Sequence, residues 1–182
     1  MSHIIVTGPE STGKTTLVAA LAARSGAAVV PEYPRGYLRA LGRLARPSDF
    51  EHFVSVNRRL VAAADAQQRR RGGHPVVLRD TAAEVLSLWH EDKFGSSPLF
   101  LREAVLAQRA DVYLLCRPDL PWEYDPLRED PHRRQELFTA LRLIIDELGA
   151  RVIEVEGLDG ARVDAAAAAL HRLGLLPTDV RA

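Results

Sequence analysis

Cysteine is almost absent from this chain: Cys116 stands alone among 182 residues. A single thiol excludes an internal disulfide and a cysteine-built metal site. It sits in the apolar run Val112-Tyr113-Leu114-Leu115-Cys116, which predicts a buried structural thiol. Net charge is also missing, because 24 basic residues balance 24 acidic ones. No overall field draws the chain to nucleic acid or anionic lipid, and a small, locally recognised ligand fits better. Arg58-Arg59 and Arg69-Arg70-Arg71 read as a solvated helix face and a favourable helix end. No apolar run approaches the roughly 18 residues of a membrane span. Met1 leads straight into a strand pattern rather than a signal peptide, so the expectation is a cytoplasmic protein. Lysine is the other scarcity: Lys14 and Lys93 stand against 22 arginines. Where arginine is the habit, a lysine points to a need for a compact ammonium on a flexible stem.

What is present is enough for one folded domain over residues 1–182, since 47% of the residues are hydrophobic. Lys14 lies in Gly8-Pro9-Glu10-Ser11-Thr12-Gly13-Lys14-Thr15, which has the form G-x-x-x-x-G-K-[ST] of the phosphate-binding loop. The apolar run His3-Ile4-Ile5-Val6 before it reads as a strand, and Thr16 to Ala23 after it as a helix. That strand–loop–helix context is what the motif requires. Glycines let the loop curl so that successive N–H groups aim at phosphates, and the new helix adds its positive end. Gly8, Glu10, Ser11, Thr12, Gly13, Lys14, Thr15 and Thr16 are therefore the candidate nucleotide contacts. Lys14 would reach the β- and γ-phosphates, and Thr15 would hold Mg²⁺.

The remaining pattern alternates. Strands are expected at 3–7, 27–30, 75–78, 111–116 and 151–155. Helices are expected at 14–24, at 49–71 behind a Ser48 or Asp49 cap, and at 82–90, 98–108, 132–148 and 161–173. Glu32 to Tyr37, interrupted by Pro34 and Gly36, should precede a short helix to about Leu44. This order implies an α/β fold of three layers, a five-stranded parallel sheet with helices on both faces. A Pro-rich, charged loop over about 117–134 would be its lid.

Ligands of such a sheet bind at the carboxyl ends of its strands, and three polar clusters fall there. Asp80-Thr81 follows the third strand. Asp80 can hold the Mg²⁺ shell or accept a proton from a hydroxyl, beside a plain capping role. Glu32, Tyr33 and Arg35 follow the second strand, and a carboxylate, a ring and a guanidinium suit a nucleoside. Trp122, Asp125 and Arg128 lie in the lid, where an arginine can stabilise a transferring phosphoryl group. Glu10 could face substrate or bond locally. Arg133 and Arg134 read as ordinary helix-start charges, His74, His90 and His132 as surface residues, and Trp89 as core. Cys116-Arg117-Pro118-Asp119 stands where a guanine switch would show N-K-x-D, which argues against GTP.

These strings resemble a known family. G-P-E-S-T-G-K-T, E-Y-x-R, D-T on the third strand, W on the next helix and Y-L-L-x-x-P-D-x-P-W-x-x-D-x-x-R are similar to the ribosylnicotinamide kinase domain of NadR-like proteins, P-loop kinases of the AAA-labelled set. The resemblance runs from about Ile4 to Val155. It implies a kinase-like strand order and ATP-dependent phosphorylation of the 5′-hydroxyl of nicotinamide riboside, with ATP and Mg²⁺ as cofactors. Lys14, Asp80 and Arg128 would be catalytic, with Thr15 and Asp80 at the metal. Glu32, Tyr33, Arg35, Asp80, Trp122 and Asp125 would surround the riboside. Pro34, Gly36, Ala82 and Pro126 depart from the family pattern, all on the substrate side. The chain lacks the adenylyltransferase and DNA-binding domains that can accompany this one, so neither NAD synthesis nor operator binding is expected of it. Another nucleoside or nucleotide kinase, or an ATP-dependent sensor, are the alternative readings.

Overall fold

The computed structural model describes residues 1–124 and 132–176. Its elements run β1 (Ser2–Thr7), α1 (Lys14–Ser25), β2 (Ala28–Val30), α2 (Tyr33–Leu41), α3 (Asp49–Arg71), β3 (Val76–Asp80), α4 (Ala83–Phe94), α5 (Leu99–Ala107), β4 (Val112–Cys116), α6 (Arg134–Glu147), β5 (Val152–Val155) and α7 (Asp159–Arg172). The five strands form one parallel sheet in the order β2-β3-β1-β4-β5. Parallel neighbours need crossovers, and the helices supply them on both faces.

Period-2 alternation sorts the strand residues. Ile4, Val6, Leu78 and Leu114 face one way and form a core with Leu17 and Leu21 of α1 and with Ala166 and Leu170 of α7. Ile5, Tyr113 and Leu115 face the other way, against Phe138, Leu141 and Ile145 of α6. Val77 and Val30 meet Ala64 of α3 on that same side. A strand buried on both faces reads as a continuous apolar run, which is why the strands were visible in the sequence. Among the described residues no helix is long and apolar enough to cross a membrane.

The register positions the site. β3 lies beside β1 with Val6 opposite Asp80. The carboxylate thus lands next to the loop that leaves β1.

Several local expectations change. β3 continues through Arg79 and Asp80, because it is paired with β2 as far as Arg79 and with β1 as far as Asp80. α2 starts at Tyr33 and runs straight through Pro34 and Gly36. Proline in a first turn forfeits no hydrogen bond, since those N–H groups have no partner in the helix. Ser48 sits at the N-cap of α3 as expected, but makes no side-chain cap. Asp49 turns back instead, accepting from the Arg46 N–H at 2.8 Å and pairing with the Arg43 guanidinium at 2.7 Å. α4 runs one turn beyond the expected end, to Phe94. That turn buries His90, expected at the surface, with its ring 4.9 Å from both Phe50 and Phe94 and its Nδ1 2.6 Å from the Ser96 carbonyl. Cys116 is buried as expected, and desolvation pushes its thiol pKa up.

Candidate active site

The loop between β1 and α1 is held tightly. Gly8 has φ 144°, and a Cβ there would lie 2.7 Å from the Cys116 carbonyl oxygen at the end of β4. Only glycine tolerates both the conformation and the approach. Thr12 Oγ1 donates to the Pro9 carbonyl at 2.8 Å, and Lys14 Nζ donates to the same oxygen at 2.7 Å. Lys14 is buried, with its ammonium folded over the loop. α1 begins at Lys14, so its N–H groups and dipole point into the loop.

Thr15 Oγ1 donates to Asp80 Oδ2 at 2.6 Å. Asp80 is buried, and its Oδ1 has no hydrogen-bond partner among the described residues. Its side chain does not cap α4, whose N-cap is Ala82 and whose first N–H, at Ala83, donates to Gln108 Oε1 at 3.0 Å. The capping alternative is therefore set aside. A buried carboxylate oxygen left open beside a loop threonine fits a hard cation, which takes oxygen ligands from carboxylates, hydroxyls and phosphates. Thr81 next to it has φ 64°, while its N–H still bonds the Val6 carbonyl at 2.9 Å. A non-glycine residue in that region marks a backbone held by its surroundings.

Among the described residues, two cavities open on this loop. The larger, about 500 Å³, runs along Gly13, Thr16 and Leu17 to Leu120, Asp159 and Val163. The smaller, about 30 Å³, lies among Glu10, Glu32, Thr81, Val85, Trp89 and Leu137. Lys14 and Arg35 line both. Glu32 and Arg35 form an ion pair of 3.2 Å at the start of α2. Of the expected acceptor contacts, Glu32 and Arg35 are thus brought to Lys14. Tyr33 is not: its hydroxyl lies 2.8 Å from His52 Nε2 and its ring packs on Tyr37 and Phe53. Trp89, expected in the core, is half-buried, touching the core on one side and the small cavity on the other. Trp122 lines neither cavity, and the Arg134 guanidinium lies 5.9 Å from its ring. Asp125 and Arg128 fall outside the described residues.

Two arginines at the site carried no signal in the sequence. Arg134 Nη1 donates to the Leu120 carbonyl at 2.8 Å and lies 3.4 Å from the Ser11 carbonyl, so it braces the loop rather than serving as a plain helix-start charge. Arg133 behaves as expected, pairing with Asp92 and Glu136 at the surface. Arg162, on α7, is buried and donates to Asp119 Oδ1 at 2.8 Å and to the carbonyls of Gly157 at 2.9 Å and Thr12 at 3.0 Å. It ties the phosphate loop to the segments that follow β4 and β5. Its role depends on bringing together residues 150 positions apart, which no local pattern displays.

A family model described as an AAA domain matches residues 3–162. The chain belongs to this family. No curated protein matches it. Among solved structures, NadR protein in complex with NAD and AMP-PNP matches with a TM-score of 0.76 at 22% identity, over 99% of this chain and 51% of that one. NadR protein in complex with NR matches with the same score and identity, over 100% of this chain and 53% of that one. This AAA-family chain therefore spans about half the length of those NadR chains. Thymidylate kinase from Ehrlichia chaffeensis matches with a TM-score of 0.59 at 13% identity, over 94% of this chain and 97% of that one. These likenesses establish the fold, a five-stranded parallel sheet with flanking helices of the P-loop kinase kind.

Proposed function

We propose that this chain, as a single kinase domain, transfers the γ-phosphoryl group of ATP to the 5′-hydroxyl of nicotinamide riboside, giving nicotinamide mononucleotide. The observation that carries this reading is the meeting of the two cavities at Lys14 and Arg35. A switch needs one nucleotide pocket. A transferase needs a donor and an acceptor on either side of shared cations, because charge on the moving phosphoryl group must be neutralised between them.

The larger cavity would take ATP, with its phosphates on the amides of the loop and the Lys14 ammonium. Swinging Nζ off the Pro9 carbonyl frees it for the phosphates. Thr15 and the open Oδ1 of Asp80 would hold Mg²⁺, which supplies charge neutralisation on the phosphate oxygens when bound. The smaller cavity would take the riboside. Glu32 would bond its ribose hydroxyls and the Trp89 ring would offer a face to its base. At about 30 Å³ that cavity holds no more than a water or two, so riboside entry requires it to widen. Glu32 lines the acceptor side while Asp80 lies beneath the loop, which favours Glu32 as acceptor of the attacking hydroxyl's proton and Asp80 in the metal shell. The new bond joins the 5′-oxygen to the γ-phosphorus, the bridge to the β-phosphate breaks, and ADP leaves. Arg128 would be the arginine that stabilises the transferring phosphoryl group, while Arg134 braces the loop beside it. The NadR protein that carries NR, at the same fold, supports this choice of acceptor.

The test is a panel of nucleosides and vitamin ribosides with ATP and Mg²⁺. ATP consumption should depend on added nicotinamide riboside and vanish in Lys14→Ala. Glu32→Gln should lower kcat by about 10²–10⁴, whereas Asp80→Asn should chiefly weaken the Mg²⁺ dependence of nucleotide binding. Consumption indifferent to every riboside would discard the transferase reading. A different preferred nucleoside would discard the acceptor alone.

A further inference from the structure

A second groove lies away from the phosphate loop, on the face of the sheet covered by α3, α4 and α5. Its volume is about 210 Å³. Arg58 of α3, Arg79 of β3 and Arg109 after α5 all line it, as does His3 of β1. Val54, Val61, Leu86 and Ala104 form an apolar wall. The three guanidinium groups make no ion pair among the described residues.

Arg79 is the unusual member. It is only 3% exposed. Its partners are neutral: Asn57 Oδ1 at 3.0 Å and the Arg109 carbonyl at 3.4 Å. Its Nε has no partner. A cation out of water without a carboxylate is costly, and charged side chains are seldom fully buried unless paired. Glu84 and Asp65 favour its charged form through space, but neither hydrogen-bonds it, and the Asp65 carboxylate itself lines the groove. Asp65 lies 3.2 Å from His3 Nε2, Asp111 accepts the His3 N–H, and Glu84 accepts from Gln108. His3 is held neutral chiefly by burial, with Arg79 and Arg109 acting in the same direction, so it adds a polar edge and no charge.

We propose that this groove binds a small organic acid, one carboxylate on a compact apolar body, and that its occupancy alters nucleotide affinity. The carboxylate meets Arg58, Arg79 and Arg109, and the apolar body lies on the wall of Val54, Val61 and Leu86. Guanidinium groups match carboxylates through parallel N–H bonds, which favours this head group. The link to the phosphate loop is one peptide long. Arg79 and Asp80 are successive residues of β3 on opposite faces of the sheet, and Asp80 holds Thr15. The site stands independently of the kinase reading, because it shares no lining residue with either loop cavity.

The test uses the full chain, with sodium benzoate as the carboxylate probe and inorganic phosphate as the anion without an apolar body. Isothermal titration should show saturable 1:1 binding of benzoate and about tenfold weaker binding of phosphate. The double variant Arg58→Ala/Arg109→Ala, at exposed positions, should keep its melting temperature and lose about tenfold in benzoate affinity. Lys14→Ala should bind benzoate as the parent does. Saturating benzoate should change the Kd of an ATP analogue at least about twofold. Absence of saturable binding at millimolar benzoate, equal binding of phosphate, or affinity untouched by the double variant would overturn the site. An unchanged nucleotide Kd at saturation would overturn its effector role.

Discussion

Arg162→Ala is the most demanding perturbation of the scheme. The guanidinium makes three good hydrogen bonds, at 2.8, 2.9 and 3.0 Å, and a fourth contact to the Arg117 carbonyl at 3.4 Å. A bond involving a charged group contributes about 1.5–3 kcal/mol, and a buried acceptor left bare costs about as much again in lost hydration. Against this, truncation removes a buried cation whose Nε has no partner, which recovers part of its desolvation penalty. Asp119 also keeps its bond from the Gly157 N–H at 2.7 Å, so it is not stranded. The balance is a loss of about 3 kcal/mol. With a urea slope of about 1–3 kcal/mol per molar, the unfolding midpoint should fall by about 1 M or more. Arg162→Ala also unties the Thr12 carbonyl, so nucleotide affinity should drop more than any acceptor constant. A cycle with Asp119→Ala isolates the pair, and the coupling should reach about 1 kcal/mol. A midpoint within experimental error of the parent, or additive single effects, would refute the idea that this side chain braces the loop.

Gly8→Ala should be destabilising by at least about 1–3 kcal/mol through backbone strain alone, before the 2.7 Å approach to the Cys116 carbonyl is counted. Parent-like urea midpoint and nucleotide binding would contradict this packing. Trp89→Ala should raise the acceptor KM several-fold with little change in the KM for ATP. A pure loss of stability with unchanged constants would return Trp89 to the core. The Arg43 guanidinium holds the Asp49 carboxyl at about 2, below its ordinary value of 3.8. The resulting stability is fully present above about pH 4 and is lost as pH falls through about 2. Asp49→Asn should therefore cost about 1 kcal/mol at neutral pH, since the half-exposed Arg43 is screened by solvent. Its unfolding free energy should also fall less steeply between about pH 4 and 2. An unchanged slope in acid would show the pair to be inert.

Local chemistry accounts for what could be read along the chain. The loop motif, its strand and its helix are contiguous, so eight residues carried the phosphate cradle and Lys14 within it. The strands announced themselves as apolar runs because both of their faces are covered. Charge balance and the single cysteine are read from composition alone. Helix ends were less secure. Whether α4 stops at His90 or continues to Phe94 depends on the aromatic pocket that α3 presents, and α3 is distant in sequence.

The sequence by itself determined the α/β pattern, the phosphate loop and the residue types that meet there, because each arises from neighbours within a turn or a strand. Tertiary structure alone decided which of those residues share a space. The order β2-β3-β1 set Asp80 against Thr15, the start of α2 delivered Glu32 and Arg35 but swung Tyr33 aside, and α7 supplied an arginine to a loop 150 positions earlier. The physical reason is that a buried polar group must find its partners across the fold, and chain separation leaves no periodic trace of which partner it finds.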